Sequence, residues 1–280
     1  MAAMREAFDY CADLVRATYR DRYLATLFAP VERRSALFSL YAFEGEIARV
    51  SELAREPMPG EIRLQWWEDV LNGERRGEAD ASPVASALLA TVENHGLART
   101  TLVALIDAHR FDLYDEPMKT VPDAEDYAAR TSSAVMALAA GILGGDAEPA
   151  ARPAGIAQGL AGFIGALPLQ AARRRLYVPT ELLERHGVRL GDVYAGRASA
   201  ALDAAVADLR DIARAHLAAA SERITALPAH VLPAFLQVAL VRPSLALWDR
   251  SGALAPAALS PWRRQWLIWR AARNPARIAG

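Results

Sequence analysis

YAFEGEIARVSELAREPMPGEIRLQWW, residues 41–67, sets the reading of the whole chain. Its apolar residues return every three or four positions among a dense set of Glu and Arg, which is the period of a helix buried on one side. The cluster Pro57-Met58-Pro59-Gly60 predicts a break between two helical segments, with the second starting at Glu61. Leu64, Trp67 and Leu71 carry the helical spacing of that second segment.

Working outward, Phe8, Ala12, Val15 and Tyr19 predict an amphipathic helix over 4–20. Pro30 is placed to open a helix running through Val31 to about residue 55, because proline is tolerated in a first helical turn. Ser82-Pro83 reads as an N-cap followed by an N1 proline. A further helix is expected over 100–114. Asp123 reads as the N-cap of a helix through Tyr127, Val135 and Leu138, ending at Gly144-Gly145. An alanine-rich helix is expected over about 199–225, and a short aromatic, basic one over about 261–273. With no run of alternating β-branched residues, the chain reads as all-α. The lack of an internal repeat, charged tail or long linker predicts one domain over 1–280.

At 280 residues and 53% apolar there is ample material for a core. A formal charge of −1 provides no global field toward nucleic acid, and no nucleic-acid partner is expected. Cys11 is the only cysteine, which excludes an intramolecular disulfide and a multi-thiolate zinc site and fits a reducing cytosol. The first twenty residues carry acids and lack an apolar signal core, so a cytoplasmic location is expected. Between Arg152 and Arg173 the chain is uncharged for long enough to cross a bilayer. Glycines at 155, 159, 162 and 165, with Gln158, Pro168 and Gln170, favour a close-packed core helix instead. No nucleotide-binding glycine motif, histidine metal spacing or nucleophile elbow is present. Asp112, Asp115 and Glu116 read as surface acids.

Four segments in order then carry a resemblance: RDRYLATLFAPVERRSALFSLYAF (20–43), LIDAHRFDLYDE (105–116), DYAARTSSAVMALAAGILG (126–144) and RRRLYVPTELLERHGV (173–188). Together they resemble the squalene/phytoene synthase family over nearly the whole chain. That resemblance implies an all-α isoprenoid synthase bundle around a central cavity. It also implies head-to-head joining of two prenyl diphosphates, with magnesium held by two aspartate-rich motifs neutralising the leaving group. Counted from Tyr41-Ala42-Phe43, the first motif falls on Ala48, Arg49 and Glu52. Counted back from Tyr177, the second falls on Ala166 and Gln170, and no Asp or Glu lies between Arg152 and Arg173. Both motifs are degenerate, so no metal and no cofactor is expected.

Residues 46–71, EIARVSELAREPMPGEIRLQWWEDVL, are similar to a branch of the superfamily that includes a mitochondrial respiratory complex I assembly factor. This resemblance implies an assembly or binding role with complex I subunits or assembly intermediates, near the cytoplasmic face of the inner membrane. Two alternatives stay open. One is an active prenyltransferase condensing farnesyl or geranylgeranyl diphosphate on a rewired magnesium site using Glu44, Glu46, Glu52 and Glu56. Against it, Arg49 and Arg55 lie within helical reach of those acids and are expected to pair with them. The other is a non-catalytic binder of a prenyl or lipid phosphate. Candidate ligand residues are Tyr41, Phe43, Glu52, Trp66, Phe163, Arg173, Arg174, Arg175 and Tyr177, arginine forks being able to hold phosphate without metal. Trp262, Trp266 and Trp269, at i, i+4 and i+7 with Arg263 and Arg270, form a stripe for a membrane or partner face, or pack on the domain.

Overall fold

Every regular element among residues 2–54 and 56–280, the residues described by the computed structural model of the chain, is helical. In order these are α1 (Ala2–Thr18), α2 (Arg20–Thr26), α3 (Val31–Ala48), α4 (Val50–Leu53), α5 (Pro57–Asn72), α6 (Arg76–Ala81), α7 (Pro83–His95) and α8 (Arg99–Ala108). There follow α9 (Val121–Ala128), α10 (Ala134–Ile142), α11 (Glu148–Ala172), α12 (Thr180–Arg185), α13 (Leu190–Tyr194), α14 (Ala200–Thr225), α15 (Val241–Trp248), α16 (Pro261–Arg273) and α17 (Ala276–Ala279). Short 3-10 and π-helical segments at His109–Leu113 and Ala129–Ser133 extend α8 and join α9 to α10, and a 3-10 helix at Leu232–Leu240 leads into α15.

The helices group into two compact units. The first comprises Met1–Tyr114, Ala134–Glu148 and Leu227–Ala234. Its centre is α3, buried over the unbroken run from Ala36 to Phe43, as a helix that is apolar on nearly every side must be. α1, α7 and α10 pack against it. The buried face of α1 is Ala7, Cys11 and Val15, while Phe8 and Ala12, expected in that stripe, are only half-buried. On α5, Leu64, Trp67 and Leu71 have no exposed surface, as their spacing predicted.

Three boundaries differ from the sequence expectation, each for a local reason. The helix predicted to run to about residue 55 stops at Ala48, where Arg49 takes φ −84°, ψ −7° and α4 begins as a separate turn. The predicted break at Pro57 to Gly60 is instead the first turn of α5. Pro57 holds N1, and the chain interruption falls at the extended Ala54 and Glu56. Thr120, not Asp123, caps α9; Asp123 stands at N3 and completes a capping box by accepting the Thr120 N–H at 3.0 Å. Ser82 caps α7 as expected, and the structure adds a cap at Ser199 of α14.

The second unit comprises Asp115–Ser133, Pro149–Ala226 and Phe235–Gly280. α11 is the one described helix long and apolar enough to cross a bilayer, yet 61% of its apolar window is buried within the protein. Its glycines explain the packing. A Cβ on Gly155 would stand 2.3 Å from the Ser133 Cα, and one on Gly165 2.7 Å from the Trp248 ring. Ser133 also donates its hydroxyl to the Arg152 carbonyl at 2.8 Å, tying the π-helical turn to the start of α11.

Candidate functional site

In the first unit the candidate site lies where α2 meets α3. The turn ending at Pro30 folds α2 back so that Arg22 reaches Glu44, and both guanidinium terminal nitrogens engage the carboxylate, Nη2 at 3.2 Å from Oε1. Each side chain keeps less than a fifth of its surface exposed. The Arg22 guanidinium also lies 5.0 Å from the Tyr41 ring centroid and 5.8 Å from that of Tyr19. Tyr19 donates its hydroxyl to the Gly45 carbonyl at 3.3 Å, and its ring occupies the space that a Cβ at position 45 would need. Burial pushes the Tyr41 hydroxyl up to about 12, against the opposing pull of Arg22. Tyr19 is raised by burial and by Glu44. The result is a neutral phenol beside a fixed ion pair.

The residues at the counted carboxylate positions diverge from this cluster. Ala48 is half-buried, while Arg49 and Glu52 are exposed, because the helix breaks at Arg49. Glu46 is raised by burial, with Arg63 and Arg49 opposing. Glu44 was expected to pair with Arg49 or Arg55 on its own helix; it pairs with Arg22 of α2 instead, and Arg55 lies outside the described residues. Phe43 is fully buried edge-on to Trp67, with centroids 4.9 Å apart. Trp66 turns its indole N–H to Glu78 at 2.7 Å and lines a separate groove of about 510 Å³ with Val50, Leu53, Ala54, Pro59, Ile62 and Arg63. Tyr41, Phe43 and Trp66 are therefore not one lining. Among the described residues, no group of three or more His, Cys, Asp or Glu side chains is placed to hold a metal ion.

In the second unit a smaller constellation forms at the C-terminal end of α11. Arg174 takes φ +56°, the left-handed conformation that ends many helices, and it is the only described non-glycine residue with positive φ. That turn sends the chain back so that Tyr177 stacks on Phe163 at 5.2 Å, with Tyr127 5.6 to 5.8 Å from both. A backbone strap fixes the return, Met118 N–H donating to the Leu176 carbonyl and Thr180 N–H to the Met118 carbonyl, both at 2.9 Å. Arg173 and Arg174 are exposed, Arg174 lying 5.4 Å from the Tyr194 ring, while half-buried Arg175 stands 3.9 Å from Asp115. Ala166 and Gln170 lie on the same last turns of α11, and the buried Gln170 Oε1 has no hydrogen-bond donor among the described residues. Of the sequence candidates, Phe163 and Tyr177 are thus brought into contact, while Arg173, Arg174 and Arg175 lie on the turn between them in sequence, with Arg174 directed to Tyr194 and Arg175 to Asp115. Arg22, Glu44's actual partner, and Tyr127 were not singled out as ligand residues. Arg22 carries no signal beyond its place in the first quoted segment.

The profile of the family described as squalene/phytoene synthase matches residues 15–270. Over 277 residues the chain is 30% identical to NADH dehydrogenase (ubiquinone) complex I, assembly factor 6, of Bos taurus, covering 92% of this chain and 82% of that protein. It is also 30% identical over 220 residues to presqualene diphosphate synthase of Rhodopseudomonas palustris, covering 76% of this chain and 77% of that one. The crystal structure of squalene synthase HpnC from Alicyclobacillus acidocaldarius has the same fold, with a TM-score of 0.71 at 23% identity over 98% of this chain and 95% of that one.

Proposed function

The chain belongs to the squalene/phytoene synthase family, and from that premise we propose that it serves as an assembly factor for respiratory complex I, using the family's fold without metal-dependent diphosphate chemistry. The observation that carries this reading is what occupies the carboxylate positions. Ala48, Arg49 and Glu52 hold the positions of the first counted motif, Ala166 and Gln170 those of the second, and Glu44 is engaged by Arg22. Magnesium on a diphosphate needs several hard oxygen ligands from the protein, and a carboxylate gripped by a guanidinium fork is a poor one. The side chains at those positions do not fit the ion. The name of the Bos taurus relative supplies the assembly role and its partners, complex I subunits or assembly intermediates. The place of action under this reading is the cytoplasmic side of the inner membrane.

The test has two arms. In cells deleted for the gene, assembled complex I on native gels and NADH-dependent quinone reduction should fall, and both should return with the wild-type gene. Purified protein given farnesyl or geranylgeranyl diphosphate, magnesium and NADPH should release no diphosphate. Unchanged complex I together with magnesium-dependent turnover would establish the prenyltransferase reading instead.

A second reading rests on the α11 terminus. The Tyr127, Phe163 and Tyr177 ring cluster, reached through the exposed turn that carries Arg173 and Arg174, suits a prenyl or lipid phosphate held without turnover. Calorimetric titration with a non-hydrolysable prenyl diphosphate should then give binding that Arg173→Ala weakens. No heat at high micromolar ligand would remove this reading.

A further inference from the structure

α16 presents its tryptophans outward. Trp262 is 82% exposed, and Trp266 and Trp269 are 50% and 44% exposed, whereas Ile268 and Ala271 of the same helix are buried. At about 100° per residue, Trp262, Trp266, Trp269 and Arg273 fall within roughly 60° of arc, opposite Ile268 and Ala271. The helix is therefore anchored by one face and shows an aromatic stripe on the other. Packing of the tryptophans on the domain, one of the two expectations for this helix, is not how they are placed. Ser260 caps its start, α17 packs beside it, and Arg242 donates to the Ala279 carbonyl at 3.2 Å, which pins the following residues.

The arginines are set at the same level as the indoles. Arg270 lies 4.8 Å from the Trp266 ring and Arg273 4.3 Å from the Trp269 ring, each stacked beside an aromatic face. From Arg250 to the end of the sequence there are six arginines and no acidic residue, although the whole chain carries a formal −1. Positive charge is thus concentrated on the element that exposes the tryptophans.

We propose that α16 docks on an anionic phospholipid bilayer, with Trp262, Trp266 and Trp269 at headgroup depth and Arg263, Arg270 and Arg273 on the lipid phosphates. Charge complementarity selects this occupant. A basic helix without acids of its own favours an anionic sheet, and amphipathic indole rings favour the headgroup boundary. The helix lies flat, since α16 is too short to span and its other face is already buried in the protein. The docking stands independently of the assembly reading, because it is measured on purified protein.

The experiment is co-sedimentation of the full chain with phosphatidylcholine vesicles, with and without phosphatidylglycerol, at low and high salt. Binding is expected only with the anionic lipid and should weaken as salt rises. The triple variant Trp262→Ala, Trp266→Ala, Trp269→Ala and the charge variant Arg263→Gln, Arg270→Gln, Arg273→Gln should each lose about tenfold in affinity or more. Both should keep the wild-type far-ultraviolet circular dichroism spectrum, as the altered side chains lie outside the buried Ile268 and Ala271 face. Lipids brominated near the headgroup should quench the wild-type tryptophan emission and leave the triple variant's unchanged. The proposal falls if wild type ignores anionic vesicles or if the triple variant binds them equally. It also falls, in favour of a protein interface, if the tryptophans are needed for complex I in cells while the purified chain binds no vesicle.

Discussion

Arg22 and Glu44, twenty-two residues apart, are joined through both terminal guanidinium nitrogens, and the ring of Tyr41 stands 5.0 Å from the same guanidinium. The pair is mostly shielded from water, so neither partner is cheaply left alone. Arg22→Ala should destabilise the first unit by about 2–4 kcal/mol, because it strands a shielded carboxylate. Glu44→Gln added to it should recover part of that loss. In urea denaturation the double variant should be more stable than the sum of the two single changes predicts, by about 1 kcal/mol or more. Strict additivity would mean that the pair contributes nothing.

Tyr41 gives the same region a pH signature. Its hydroxyl ordinarily ionises near 10 and is pushed up to about 12 by burial, with Arg22 opposing. Its contribution to stability is full below pH 10, is lost as pH rises from 10, and levels off above 12. The limb amounts to about 2–3 kcal/mol. Cys11, raised by burial from 9.0 to about 12, adds a limb over pH 9–12, so the difference from Tyr41→Phe isolates the tyrosine. From pH 10 to 12 the stability of wild type relative to Tyr41→Phe should fall by that amount, and parallel curves would contradict the placement of Tyr41.

Two glycines of α11 should respond oppositely to the same change. At Gly155 an added methyl meets the Ser133 backbone, which has no flexible end to move aside, whereas at Gly162 nothing lies within 4 Å. Gly155→Ala should cost about 1–3 kcal/mol through overpacking, outweighing its gain in helix propensity. Gly162→Ala should stabilise by about 0.5–1 kcal/mol, since only the propensity gain remains. Equal shifts in the two denaturation midpoints would show that α11 does not pack closely on the Ala129–Ser133 turn.

What was legible in the sequence follows the range of each interaction. Spacing fixed the buried stripe of Leu64, Trp67 and Leu71, and the Ser-Pro pair fixed the cap at Ser82. The all-α class follows from helical spacing, and the isoprenoid synthase fold from the family resemblance that the four ordered segments carry. Pro57 misled because one residue type both ends and begins helices, and only the extended backbone at Ala54 and Glu56 tells which. The partner of Glu44 was illegible for another reason. Arg49 shares its helix and invites pairing, but Arg22 arrives from α2 through a turn whose direction no spacing records. Tryptophans at i, i+4 and i+7 share a face in any helix, whereas the way that face points depends on what Ile268 and Ala271 bury against.

Arg174 separates folding from binding at the end of α11. Its φ of +56° disfavours side chains branched at Cβ, which crowd the following carbonyl in the left-handed region. Arg174→Val should therefore cost about 1–2 kcal/mol. Arg174→Gly removes that strain and gives up a contact with the Tyr194 ring of similar small worth, so its stability should stay within about 0.5 kcal/mol of wild type. If this turn also receives an anionic headgroup beside Phe163 and Tyr177, the glycine variant keeps its denaturation midpoint yet binds a non-hydrolysable prenyl diphosphate more weakly. A glycine variant that retains wild-type affinity would leave Arg174 with the turn alone, and any phosphate contact would then rest on Arg173 or Arg175.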